Sequence, residues 1–217
     1  MANDIITFKD GLTPEIIKEK YPWLLKADIE EAVIGQDING LVWYDGIWYN
    51  GTWESGTWKD GEFNNGTWLN GSFLKGCWYN GTWLNGTFNG YWLDGTWKDG
   101  TWENGVWENG EWESGIWEDG EWEKGIWQNG EWNGGYWYDG TWQGGEWYGG
   151  SWEDGSWENG EWYGGSWKNG TWKNGTWYDG QWIYGTWKNG KWRGGEKLNQ
   201  KTGEIERSDE PPTEDFD

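Results

Sequence analysis

Histidine is missing from this chain of 217 residues, and cysteine occurs once. The first absence removes the commonest general base and metal ligand. The second, with Cys77 alone, excludes an intramolecular disulfide framework and a cysteine metal cluster. No apolar run is long enough for a membrane-spanning helix. The start, Met1-Ala2-Asn3-Asp4-Ile5-Ile6, lacks the basic and apolar regions of a secretory signal. The cytoplasm of the producing cell or a virion is therefore the expected location. Basic residues are few: 16 Lys and Arg stand against 38 Asp and Glu, a net charge of -22. Such an acidic body repels nucleic acid. Leu, Ile, Val and Phe are also scarce, a composition that on its own reads as disordered.

What is abundant reverses that reading. The chain holds 29 Trp and 40 Gly, and each Trp can bury roughly 150–250 Å². From Trp43 to Trp192 an aromatic residue recurs every five positions, with one slip at Phe88-Asn89-Gly90-Tyr91-Trp92. Phe63, Phe73 and Phe88 take the place of Trp in three units. The unit is x-Trp-x-[Asn/Asp/Gly]-Gly, as in Thr101-Trp102-Glu103-Asn104-Gly105. A short fixed period is the signature of a repeat architecture. Most of the chain is committed to it, so no catalytic, cofactor-binding or metal-binding residue is expected, and no cofactor.

Three regions separate. Residues 1–40 have ordinary composition and read as a small α/β head suited to docking. Ile5-Ile6-Thr7-Phe8 suggests a short strand, and Thr13 can cap a helix that has Pro14 at its first position. Trp23 to Val33 suggests a second helical stretch. Residues 41–195 are the Trp/Gly pentad domain. Residues 196–217, with Pro211-Pro212 and many acids, suggest a disordered tail.

Asn-Gly and Asp-Gly tolerate positive φ at both central positions of a type I′ turn. A turn every five residues leaves three-residue strands with Trp in the middle, and places every aromatic on one side of the sheet. The expected fold is thus a mainly β repeat protein. It would be a continuous antiparallel meander, coiled or paired so that its Trp face is covered, because an open aromatic strip is an association site. The alternative is a four-sided solenoid of the pentapeptide-repeat type, with Trp directed inward. Against the meander, Glu108 would oppose Glu111 and Lys188 would oppose Lys191, which is mildly unfavourable.

Charge is unevenly placed. Residues 101–165 carry 15 acids and one Lys, and residues 166–195 reverse to a net of +4. Glu103, Glu108, Glu113, Glu118 and Glu123 form a candidate acidic partner-binding face. Lys168, Lys173, Lys188, Lys191 and Arg193 form a candidate basic patch. The Trp row is a candidate sugar-stacking surface, though a packed core accounts for it better. The Asn-x-Thr/Ser sequons, Asn50, Asn65 and Asn70 among them, arise from the turn dipeptides, and without a secretory signal they are not expected to be glycosylated.

Trp102-Glu103-Asn104-Gly105-Val106-Trp107 resembles the designed tryptophan-zipper hairpins. Gly110-Glu111-Trp112-Glu113-Ser114-Gly115 resembles part of the MORN repeat, a membrane- and scaffold-associated β-hairpin module whose units are much longer. The layout over residues 20–195, a short α/β head followed by x-Trp-x-Asn-Gly units, resembles Trp-rich pentad-repeat proteins of tailed bacteriophages. That resemblance implies a virion-associated or accessory role and no site residue. Three functions follow as expectations. The first is a non-enzymatic structural or adhesive protein, joined to a larger protein assembly through residues 1–40. The second is an acidic decoy that mimics nucleic acid toward a basic DNA-binding enzyme, as acidic pentapeptide-repeat proteins are understood to do. The third is a carbohydrate-binding module using exposed Trp. Expected partners are a protein assembly, glycans, or a second copy through the Trp face; nucleic acid and a membrane span are not expected.

Overall fold

A computed structural model describes residues 6–212. Two compact units are present, Met1–Gly110 and Glu111–Asp217. Both are built from a β-solenoid with three pentads, 15 residues, per coil.

The parallel pairing establishes this. Thr57-Trp58 lies against Val42-Trp43, and Ser72-Phe73 against Thr57-Trp58. In the second unit Thr141-Trp142 lies against Ile126-Trp127, and Ser156-Trp157 against Thr141-Trp142. Consecutive pentads therefore occupy three successive sides of one coil, and every third pentad returns to the same side. The antiparallel meander is corrected: strands pair in parallel at a spacing of 15, not across each turn. The solenoid alternative holds, with three sides rather than four.

The physical reason lies in the indoles. In a coil, Trp122 meets Trp127 edge-on at 5.9 Å and 74°, and Trp127 meets Trp132 in the same way. Between coils, Trp127, Trp142 and Trp157 stack with centroids 4.8 Å apart and planes 7° from parallel. That spacing is the strand separation of a sheet, and offset stacking and edge contacts are the two favoured arrangements of aromatic rings. Three indoles fill the cross-section. Closing the coil leaves every repeat Trp from Trp43 to Trp177 with 0% exposure, a cover that a single-layer meander lacks.

The corner chemistry also differs from a type I′ turn. Outside Asp10 and Glu31, positive φ occurs only at Gly among the described residues, so the Asn and Asp before Gly keep negative φ. Their role is to accept a hydrogen bond. Asn50 Oδ1 takes the Gly51 N–H at 2.8 Å, and Asp139 Oδ1 takes the Gly140 N–H at 2.6 Å. The residues on either side of Trp supply the ladder: Thr141 N donates to Gly125 O at 3.0 Å, and Gln143 N to Trp127 O at 2.8 Å. At Gly66 (φ +127°) a Cβ would sit 2.3 Å from Gly51 O of the preceding coil. Glycine columns let the coils stack this closely.

The slip removes one residue from one corner. Phe88 pairs with Trp102 but Asn89 with Asn104, so the register shifts between Phe88 and Asn89 and Glu103 is the extra residue on the neighbouring strand Thr101–Trp107. Trp78 and Trp92, 14 apart, still stack at 4.8 Å. The aromatic columns continue through it.

The head closes the first unit. β1 (Thr7–Phe8) pairs in parallel with β2 (Asp28–Asp37), which pairs antiparallel with β3 (Gly40–Asn50), the strand holding the first two pentads. Helix α1 (Pro14–Lys20) begins as the sequence suggests, with Thr13 Oγ accepting from Ile16 N at 3.3 Å. The expected second helix over Trp23–Val33 is corrected to a 3₁₀ turn, Pro22–Lys26, followed by β2. Ile29, Val33 and Ile34 are β-branched and favour the strand. Trp23 packs edge-on against Trp53 at 5.2 Å and lies 6.3 Å from Trp48, so the head lids the open end of the core. Ile5 of the expected first strand lies outside the described residues.

The segment expected to be a disordered tail caps the second unit. Glu196–Leu198 adds in parallel to Gln181-Trp182, and Ile205–Arg207 folds back antiparallel on it. Trp192 Nε1 donates to Ser208 O at 2.9 Å. An edge strand left bare would template further pairing, and end caps prevent it. Residues 213–217 of that segment lie outside the described residues.

Candidate functional site

Each pentad puts its aromatic inside, so the residues before and after it stand outside and repeat every 15 positions. The surface of each unit is thus a set of columns. This geometry decides where the candidate residues go.

Glu113, Glu118 and Glu123 follow the aromatic in consecutive pentads and fall on three different sides of the second unit; Glu103 and Glu108 fall on two sides of the first. The register does not gather the five acids onto one face. The basic patch is also divided. Lys168 lies above Glu153 at 2.8 Å, and Lys173 above Glu158 at 2.6 Å. The bond to Glu153 holds the Lys168 ammonium above its usual pKa. Lys173 and Lys188 share one column, while Lys191 and Arg193 flank Trp192 on another side. These Lys residues in part neutralise a carboxylate one coil away, a relation visible only once the period of 15 is known.

The repeat Trp residues up to Trp187 offer no stacking surface, and Trp192 in the last pentad is half-buried. Those from Trp43 to Trp177 have 0% exposure, and Trp182 and Trp187 have 3% and 8%. This burial leaves no exposed row of Trp between Trp43 and Trp187 for the expected sugar-stacking surface or for self-association through a Trp face. Many of the indole N–H groups are also inaccessible: Trp142, Trp147, Trp152 and Trp157 have no hydrogen-bond partner for Nε1. Each such buried donor costs on the order of 1–3 kcal/mol, which stacking and burial of the ring must outweigh.

Sequence reasoning missed a surface column on the Trp147–Trp162–Trp177 side of the second unit. Tyr148 and Tyr163 stack at 5.0 Å and 8°, and Tyr163 and Tyr178 at 4.8 Å and 2°. Tyr148 is 43% exposed and Tyr178 38%. Beside them, Glu131, Glu146 and Glu161 are direct Cα partners along the ladder. Tyr148 donates to Glu146 and Tyr163 to Glu161. These bonds to carboxylates raise both phenols, Tyr148 to about 12. On the far flank the corner positions are Gly134, Gly149 and Gly164, without side chains. On the near flank a groove of about 340 Å³ is lined by Ser114, Ile116, Asn129, Glu131 and Glu146. The signal was available: Tyr148, Tyr163 and Tyr178 are spaced by 15.

No family model, no curated protein and no solved structure matches the chain. Among the described residues no group of three or more Cys, Asp or Glu is placed to hold a metal ion. Among the described residues no helix is long and apolar enough to cross a membrane. Cys77 is half-buried, and burial raises its thiol.

Proposed function

We propose that this chain is a non-enzymatic binding protein, an acidic decoy that occupies a basic, nucleic-acid-binding surface of another protein. The observation that carries this reading is linear charge density. Residues 111–165 hold thirteen Asp and Glu against Lys124 alone, a net of -12. With 15 residues per coil and coils 4.8 Å apart, those 55 residues rise ~18 Å, or one negative charge per ~1.5 Å, close to the ~1.7 Å of duplex DNA. The tightly stacked core holds these charges at fixed spacing, so little ordering entropy opposes binding.

The test is competition. The full chain should displace labelled duplex DNA from a DNA-binding enzyme such as a topoisomerase or restriction endonuclease, with an affinity that falls steeply with salt. A panel of such enzymes unaffected at low ionic strength would overturn the reading. Neutralising Glu103, Glu108, Glu113, Glu118 and Glu123 together tests total charge only, because they occupy different sides.

A second reading, a stiff structural component of a larger assembly such as a virion, is favoured by the three stacked aromatic columns within each unit. It predicts co-purification with assembled particles. Deletion of residues 1–40 is a poor probe of it, since that deletion also removes the lid formed by Trp23 and β2.

A further inference from the structure

We infer that the side of the second unit bearing Tyr148, Tyr163 and Tyr178 is the docking face, and that its occupant is an arginine-rich surface of a protein partner. This rests on the decoy reading and says which of the three sides carries it.

The three sides are not equivalent. The Tyr side carries Glu118, Asp119, Glu131, Glu146 and Glu161, and no Lys or Arg appears on it before Lys191. The next side carries Lys124 and Lys168, with Glu153 engaged by Lys168. The third carries Lys173 and Lys188, with Glu158 engaged by Lys173. Within residues 111–165 the next side also has five acids, Glu121, Glu123, Asp139, Glu153 and Asp154, but Lys124 and Lys168 stand among them, and the third has three; the Tyr side is the one whose carboxylates are not interleaved with Lys. The same side holds the exposed Tyr ladder, and stacked Tyr is a low-entropy contact surface of the kind enriched where proteins meet. Gly134, Gly149 and Gly164 leave its flank open, and the 340 Å³ groove along Glu131 and Glu146 gives the approach some depth.

Complementarity selects arginine. A planar guanidinium binds carboxylates in bidentate fashion and packs against aromatic rings, whereas an ammonium is a strongly hydrated point charge. Carboxylates repeating at the coil spacing beside a tyrosine column suit the former.

The probe is a fluorescein-labelled dodeca-arginine peptide titrated with the intact chain at physiological ionic strength, alongside dodeca-lysine. Three variants are compared. Y148Q/Y163Q/Y178Q leaves charge unchanged and uses a residue already present at equivalent positions, Gln128 and Gln143. E131Q/E146Q/E161Q removes three charges from the Tyr side, and E111Q/E113Q/E158Q removes three from another. The expected result is arginine preferred over lysine, a loss of about tenfold for each Tyr-side variant, and a loss within about threefold for the control. Circular dichroism melting verifies that each variant is folded; one that is not is replaced by its single substitutions. Equal losses from both Glu variants, retention of affinity by the Tyr variant, equal binding of the two peptides, or no binding of dodeca-arginine would each overturn the assignment. If instead dodeca-arginine binds as expected and no DNA-binding enzyme is displaced from DNA, the docking face stands and the decoy reading fails.

Discussion

Trp142 and Trp157, fifteen residues apart, lie with their ring centroids 4.8 Å apart and their planes 7° from parallel. The same relation joins Trp147 to Trp162 at 4.8 Å and 6°, and Trp152 to Trp167 at 4.8 Å and 6°. The stability of each unit depends on these columns, and the first prediction follows from them.

Trp152→Ala should destabilise the second unit by about 3–5 kcal/mol, as truncation of a buried aromatic does. Trp152→Phe should cost clearly less, because Phe63, Phe73 and Phe88 fill equivalent positions within stacked columns of the first unit. Urea denaturation followed by circular dichroism checks both. Equal losses would show that the column does not accommodate the smaller ring.

Two adjacent glycines should respond in opposite ways. Gly150 has φ of +104°, and a Cβ there would lie 2.5 Å from Gly135 O. Gly149 carries no such φ, and its Cβ would meet Asn133 O at 3.4 Å. Gly150→Ala should cost more than about 1 kcal/mol, and Gly149→Ala should be neutral or stabilising through the unfolded chain. Comparison of melting temperatures decides.

The corner hydrogen bond predicts a chemical order. Asp139→Ala leaves the Gly140 N–H without the acceptor now at 2.6 Å and should cost about 0.5–1.5 kcal/mol. Asp139→Asn retains the acceptor and should cost little. Amide hydrogen exchange at Gly140 should accelerate in the first variant and not in the second.

Tyrosine titration tests the surface ladder. Carboxylate hydrogen bonding raises Tyr148 from about 10 to about 12, and raises Tyr163 in the same direction. A raised folded-state pKa means tighter proton binding in the folded protein. The associated stability is therefore complete below pH 10 and is lost as pH rises from about 10 through 12. Absorbance at 295 nm should show a phenol fraction resisting ionisation above pH 11. Glu146→Gln should shift part of it to lower pH; an unchanged curve would contradict the Tyr148–Glu146 bond.

Much of the local chemistry was legible without the structure. The period of five, the inward aromatic, Gly at the corner and the Thr13 cap all follow from residue type and spacing. Asx-Gly was the ambiguous signal. As a dipeptide it suits a type I′ hairpin, which requires positive φ at both residues; here Asn and Asp keep negative φ and their oxygens cap the next N–H. Trp23 to Val33 misled because its apolar spacing suits a helix, while pairing with β3 decides for a strand. Residues 196–212 looked disordered by composition, and the exposed end of the core gives them something to cover.

The sequence by itself determined that aromatic residues form the interior, that the chain is a β repeat, and that its outside is acidic. Only the tertiary structure decided which residues are neighbours. A corner every five residues permits pairing across each turn or pairing after a closed coil. Closure wins because three indoles per layer then bury one another from every side, and a column of glycines allows the next coil to approach within hydrogen-bonding distance. That choice turns a spacing of 15 into contact, scatters Glu113, Glu118 and Glu123 over three sides, and aligns Tyr148, Tyr163 and Tyr178 on one.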